Sequence, residues 1–174
     1  MAIQVIVSDT SCLIDLRKGG LLTTALGLPF QFLVALPLVA AELHDFTVAD
    51  WADLRARGLS VIDLDPAQTQ RAYELKGRFP GLSAYDCFSL ELTRSTPDAM
   101  LLTGDQQLRK RATALGVDVH GILWLCDHIE RTGSMALADL ADALDRLTAD
   151  PLVFLPAGEV TIRITRLRAR ARGR

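Results

Sequence analysis

Four acidic side chains stand where apolar strand patterns end or helical patterns begin. Asp9 and Asp105 each follow a short apolar run of strand length. Asp86 lies three residues after a serine, at capping-box spacing, where an apolar helical pattern starts, and Glu42 lies on the helix predicted after the second strand. Ligands of open α/β sheets bind at the carboxyl ends of the strands, so we expect these four side chains to meet at one edge.

A cluster of carboxylates repels itself unless a cation neutralises it, and hard oxygen ligands suit Mg²⁺ or Mn²⁺. Such a site suits hydrolysis of phosphodiester bonds. The metal activates water, polarises the phosphoryl oxygen and stabilises the leaving group. The four acids therefore predict a divalent-metal site, with Asp9, Glu42, Asp86 and Asp105 as its ligands.

Each acid also has a purely structural interpretation. Asp9 and Asp105 fit the N-cap positions of the helices that follow them, and Asp86 fits a capping box. Glu42 fits a surface position on its helix. It is the joint arrangement of the four residues that favours a functional site.

Histidine and cysteine offer further chemistry. His120 lies at a predicted strand end, where it would approach a substrate as a general base, although a metal site needs no histidine. Cys87 beside Asp86 is either a nucleophile or a small buried hydrophobe. The three cysteines are odd in number and widely spaced, which favours free thiols in a reducing compartment.

Strand and helix patterns alternate along the chain, which is typical of a parallel sheet with helices on both faces. The expected fold is α/β, a three-layer α/β/α sandwich with a mainly parallel central sheet. Predicted strands cover 3–7, 32–36, 60–64, 100–102 and 117–119, and predicted helices lie near 12–16, 37–43, 47–57, 66–79, 83–92, 105–115, 121–132 and 136–149.

The 174 residues, about half of them apolar, are enough for one domain with a sizeable core. No apolar run approaches membrane-spanning length and the first residues lack signal-peptide anatomy, so we expect a cytoplasmic protein without membrane association. Six of the 19 basic residues lie from 163 onward, which leaves 13 basic against 21 acidic residues and a net charge of −8 in 1–162.

The last segment alternates Val160, Ile162 and Ile164 with polar residues before an Arg-rich run. Period two predicts a strand that leaves the body, adds to a sheet edge or pairs with a second subunit, and displays Arg. Its functional interpretation is an electrostatic arm for RNA, and the alternative is a disordered, solubilising tail.

The motifs around the four acids resemble those of a known family. They read VSDTSCLIDL, LVAAEL, LSAYDCFSLEL and LLTGDQQLRKRA, and they are similar to the acidic signature of PIN-domain nucleases, above all the small VapC-type ribonuclease toxins of toxin–antitoxin pairs. The resemblance spans roughly 3–125. It implies an α/β/α sandwich, RNA cleavage that depends on a divalent metal, and often a homodimer that an antitoxin inhibits.

Carried over residue by residue, the resemblance makes Asp9, Glu42, Asp86 and Asp105 the metal-binding acids. It adds Ser11, Thr103 and Arg109 as supporting or substrate-binding groups. The chain then divides into a PIN-like nuclease domain, 1–150, and a C-terminal strand with an Arg-rich tail, 151–174. Two features depart from the family pattern: Gly104 replaces a basic or polar residue, and the segment after Ile122 extends past the smallest relatives.

Two other functions are compatible with this sequence pattern. One is a PIN fold that binds RNA or protein without catalysis. The other is a phosphoacceptor receiver domain. Receiver domains require adjacent acids after the first strand and a lysine after the last, and this chain has Ser8-Asp9 and His120-Gly121 at those places.

The helices at 47–57 and 66–79 are the predicted partner surface for an antitoxin or a second subunit. Trp51 is predicted either on that face or in the core.

Overall fold

The computed structural model describes residues 4–41 and 46–173. Glu42, one of the four predicted ligands, lies outside the described residues. The strands are β1 (Gln4–Ser8), β2 (Phe30–Ala35), β3 (Leu59–Ile62), β4 (Ala99–Leu102) and β5 (Val119–His120). The helices are α1 (Thr10–Lys18), α2 (Leu22–Leu26), α3 (Leu36–Ala41), α4 (Val48–Ala56), α5 (Pro66–Arg78), α6 (Ala84–Ser95), α7 (Gln106–Ala114), α8 (Ile122–Thr132), α9 (Leu137–Ala149) and α10 (Ala157–Arg172).

The strands form one parallel sheet in the order β3-β2-β1-β4-β5. In the central strand β1, Ile6 and Val7 are fully buried because helices cover both faces of the sheet. On one side α6 packs against β1, β2 and β4, and α5 packs on α6. Helices α1, α2, α8 and α9 contact one another, and α10 packs on α9. The predicted three-layer α/β/α fold is confirmed.

The sequence pattern misplaced several element boundaries. The second strand begins at Phe30, two residues before the predicted start, and ends before Leu36, which starts α3. The short helix α2 was not predicted, since its five residues are too few to show a helical period. No helix among the described residues is long and apolar enough to cross a membrane.

The predicted C-terminal strand is wrong, because residues 157–172 form the helix α10. Val160 and Leu167 are each 1% exposed, and Ile164 packs against the core between them. These positions are spaced i, i+4, i+7, which is the period of an amphipathic helix. Ile162, which completed the apparent alternation, is 67% exposed. The division of the chain near residue 150 stays a prediction.

Four arginines of α10 face acids of the two preceding helices. Arg163 donates from Nε and Nη2 to the two carboxylate oxygens of Asp127, at 2.9 and 2.7 Å. Arg166 and Arg170 both pair with Glu130 of α8. Arg168 pairs with Asp142 and Asp145 of α9. The segment therefore lies along the body of the protein, and the picture of an extended arm that leaves the body is wrong.

Trp51 belongs to the core. Its side chain is 4% exposed and packs on Phe46, with ring centroids 5.0 Å apart. Val48 on α4 and Tyr73 on α5 are exposed large apolar side chains of the predicted partner surface, with 79% and 58% of their surface accessible to solvent.

Candidate active site

The carboxyl ends of β1 and β4 lie side by side and bring two of the predicted acids to one edge. Ser8 is in register with Leu102, and the Asp9 N–H donates to the Leu102 carbonyl at 3.0 Å. Asp9 therefore leaves β1 beside the point where Thr103 leaves β4. This placement follows from parallel pairing, which puts equivalent strand ends at the same edge.

The Asp9 carboxylate is held by two hydroxyl groups. Its Oδ2 accepts from Ser11 Oγ at 2.9 Å and from Thr103 Oγ1 at 3.2 Å. Asp9 occupies the N-cap position of α1, where its side chain lacks a capping hydrogen bond of good geometry although the Ser11 backbone N–H lowers the pKa of its carboxyl. The hydrogen bond from Thr103, at the end of another strand, is not part of a helix cap. The supporting roles of Ser11 and Thr103 stay predictions.

The charge of Asp9 is costly in this position. Burial raises the pKa of Asp9 above its ordinary value, since Asp9 is only 9% exposed. The hydrogen bonds from Ser11 and Thr103 oppose this rise, whereas the negative charge of Asp86 adds to it. A cation at this edge would offset both the burial and the repulsion.

Thr103 also connects Asp9 to Asp105. Its Oγ1 accepts from the backbone N–H of Asp105 at 3.1 Å. The Asp105 Oδ1 accepts from the Leu108 N–H at 2.7 Å, so Asp105 is the N-cap of α7. The capping interpretation of this exposed acid is confirmed. It also lies just past the end of β4, and its role as a metal ligand stays a prediction.

Asp86 forms the predicted capping box of α6. Its Oδ2 accepts from the Ser83 N–H at 2.7 Å, and its own N–H donates to Ser83 Oγ at 3.0 Å. This half-buried carboxylate is also the acid whose charge acts on Asp9. The capping interpretation is confirmed, and it places the negative charge of Asp86 near the same edge.

Arg109 supports the loop that carries Asp105. Its Nη2 donates to the Thr103 carbonyl at 3.1 Å and its Nη1 to the Val119 carbonyl at 3.2 Å. A Cβ at Gly121 would come within 3.1 Å of Nη2, so glycine there leaves room for the guanidinium group. Arg109 thus ties α7 to the ends of β4 and β5.

Asp9, Asp86 and Asp105 each offer carboxylate oxygens, which are the ligands that a hard divalent cation prefers. Across 4–41 and 46–173, no three His, Cys, Asp or Glu side chains are grouped closely enough to hold a metal ion. Glu42 would be the fourth member of the predicted set.

A cavity beside Thr103 contains His120, which the sequence argument named, and two aromatic residues that it missed. Its volume is about 430 Å³, and its aromatic lining consists of His120, Trp124 and Phe154. His120 stacks on Trp124, with centroids 4.3 Å apart and an angle of 22° between the rings. The available signal was the i, i+4 spacing of Trp124 and His128, which puts two rings on one face of α8, while His120 comes from the end of β5.

The three cysteines are free and buried. Burial, with a further contribution from the Asp86 charge, raises the pKa of Cys87 to about 11. A thiol with so high a pKa stays protonated near neutral pH and is unsuited to attack a substrate. This argues against the nucleophile interpretation of Cys87.

Comparison with protein families agrees with this fold and edge. The family model described as PIN domain matches residues 5–166. The chain belongs to the PIN domain family. PIN domains are generally nucleases, and therefore hydrolases. No curated protein matches the chain.

The match also corrects two expectations. It continues well past residue 125, so α8, α9 and the first part of α10 are within the family model. The receiver interpretation is wrong, because receiver domains have the strand order 2-1-3-4-5, whereas here β1 lies between β2 and β4.

Proposed function

We propose that this PIN domain is a divalent-metal-dependent endoribonuclease that hydrolyses RNA phosphodiester bonds with Mg²⁺ or Mn²⁺, and that it is the toxin of a toxin–antitoxin pair. The observation that supports the nuclease part of the proposal is the environment of the Asp9 carboxylate. This carboxylate is buried, repelled by Asp86 and oriented by two hydroxyls, one of which comes from the end of another strand. Such a carboxylate is better explained by a cation ligand than by a structural role.

Each residue of the edge has a distinct task in this proposal. Asp9, Asp86 and Asp105, together with Glu42, would hold the ion. When bound, the ion supplies activated water and charge neutralisation at the phosphate. Ser11 and Thr103 orient the Asp9 carboxylate, and Thr103 also holds the backbone of Asp105. Arg109 fixes the Thr103 carbonyl and so the loop that follows β4.

The nuclease part is tested with Asp9→Asn. Mn²⁺ at about 100 times its Kd should stabilise the wild type by about 2.7 kcal/mol, seen as a rise in Tm. Asn keeps the shape of Asp9 but lacks its charge, so the variant should stay folded, lose most of this rise and lose RNA cleavage.

Asp53→Asn is the matched control. Asp53 is exposed on α4, where it pairs with Arg57 at a surface position. This variant should keep both the Mn²⁺ effect and RNA cleavage, because exposed ion pairs contribute little to stability. Cleavage at the wild-type rate by purified Asp9→Asn would refute the assignment of the site.

The toxin part predicts a protein partner and a homodimer. The partner surface is formed by α4 and α5, where the apolar side chains of Val48 and Tyr73 are exposed and available to an antitoxin or a second subunit. The product of an adjacent gene should form a complex with the purified chain and stop RNA cleavage. If neither occurs, the toxin assignment fails while the nuclease assignment stands.

A second candidate function is a PIN-fold module that binds RNA or protein without catalysis. It is favoured by the lack of a three-residue metal cluster in the described part of the chain. The Asp9→Asn experiment separates the two candidates, since a binding module would show RNA binding without metal-dependent cleavage in the wild type.

A further inference from the structure

The cavity of about 430 Å³ opens at the carboxyl ends of β4 and β5. Thr103 and Gly104, the two residues that precede Asp105 in the chain, form part of its wall. The segment that joins α9 to α10 closes another part of the wall with Phe154, Leu155 and Pro156. A molecule in this cavity would therefore lie next to the acidic edge.

The cavity wall is rich in aromatic surface. Phe154 is 82% exposed, which is unusual for so large an apolar side chain. His120 stacks on Trp124, and Trp124 also contacts Phe30 and His128, with 5.3 and 4.1 Å between ring centroids. These contacts fix the orientation of Trp124 and of the His120 ring, so the aromatic surface is preorganised.

The cations of the cavity wall are already neutralised or engaged. Arg163 pairs with Asp127 and with Glu159, and both of these acids also line the cavity. Arg109 donates to two backbone carbonyls. Asp15 adds a further carboxylate to the wall. The three acids and two guanidinium groups leave the wall with little net charge and without an unoccupied guanidinium for a phosphate, so the cavity suits an uncharged ligand.

We propose that this cavity binds a nucleobase of the RNA, next to the nucleotide whose phosphate reaches the acids. A base is flat, stacks on aromatic side chains and offers N–H groups along its edge to carboxylate acceptors. The proposal deepens the ribonuclease function proposed above and rests on it for the identity of the RNA. It gives α10 a role at the site, because Arg163 and Glu159 of this helix form part of the cavity wall.

The test is a titration of the full chain with AMP in EDTA, followed by tryptophan fluorescence. The chain has two tryptophans: Trp124 lines the cavity, whereas Trp51 is 4% exposed and packs on Phe46. AMP should change the emission in a saturable way. Ribose 5-phosphate, which lacks the base, should leave it unchanged, and equal binding of the two compounds would overturn the proposal.

Phe154→Ala should weaken AMP binding about fivefold or more, in line with the loss of one base-stacking contact. Leu152→Ala is the matched control, since Leu152 lies two residues away, is 73% exposed and is not part of the cavity wall. Leu152→Ala should bind AMP as the wild type does. Identical affinities of the two variants would also overturn the proposal.

The use of EDTA separates this inference from the nuclease assignment. If the wild type cleaves RNA but AMP does not bind, the base site is wrong and the nuclease function stands. If AMP binds and Phe154→Ala weakens it, but no metal supports cleavage, the base site stands and the nuclease function fails.

Discussion

At the scale of single residues, the hydroxyl group of Thr103 makes two hydrogen bonds that position the acids of the site. Thr103 is fully buried, donates to the carboxylate of Asp9 and accepts from the backbone of Asp105. One hydroxyl group therefore connects the two strands that carry these acids. Valine has nearly the same shape as threonine but can make neither hydrogen bond.

Thr103→Val should lower the free energy of unfolding by about 1–3 kcal/mol, because the Asp105 N–H and the Asp9 carboxylate each lose a partner. It should also reduce RNA cleavage, since Asp9 and Asp105 are then less well positioned. Urea unfolding and an RNA cleavage assay measure the two effects. Thr103→Ser keeps the hydroxyl and should recover most of the cleavage. A valine variant as active as the serine variant would contradict the positioning role.

At the scale of secondary-structure elements, α10 is held by two kinds of contact. Val160 and Leu167 are buried against α9, and its arginines pair with acids of α8 and α9. The pairs of Arg168 with Asp142 and Asp145 are exposed at both partners, and such pairs contribute little to stability. The buried apolar side chains should therefore hold the helix in place.

Leu167→Ala should lower the free energy of unfolding by about 2–5 kcal/mol, which is the usual cost of truncating a buried leucine. Ile162→Ala removes a similar side chain from the exposed face of the same helix and should stay within about 0.5 kcal/mol of the wild type. Urea unfolding of both variants measures the difference. Equal stabilities would mean that α10 does not pack on α9 in solution.

At the scale of the whole molecule, the charge distribution determines which basic side chains are available to bind RNA phosphates. Residues 1–162 carry a net charge of −8, and four arginines of α10 already pair with acids of the body. Paired arginines have less charge to offer to phosphates. Lys110 lies exposed on α7, the helix that begins after Asp105, and has no ion pair within the described parts of the chain.

Lys110→Gln should reduce the slope of log K against log salt by about 0.7 for single-stranded RNA, the value for one phosphate contact. Arg168→Gln should leave the slope unchanged, because Asp142 and Asp145 already neutralise this arginine. RNA binding in EDTA over a salt series measures both slopes without cleavage. A larger loss for Arg168→Gln than for Lys110→Gln would restore the idea of a C-terminal RNA-binding surface.

Patterns that act over a few residues were enough to predict the layered α/β fold. Continuous apolar runs indicated β1 and β4, and the spacing of Ser83 and Asp86 indicated a capping box that the structure confirms. These features depend on backbone geometry and on neighbours in the chain, which the order of residues states directly. The same patterns placed Asp9 and Asp105 just after strand ends.

Contacts between distant residues needed the folded chain. The Asp9–Thr103 hydrogen bond joins residues 94 positions apart, and no local pattern states which hydroxyl will face a given carboxylate. The segment from Val160 to Ile164 fits both a period of two and a helical period, and packing on α9 decides for the helix. The burial of Trp51 and the cavity at Phe154 also needed the folded chain, because the burial of a side chain depends on which other elements pack against it.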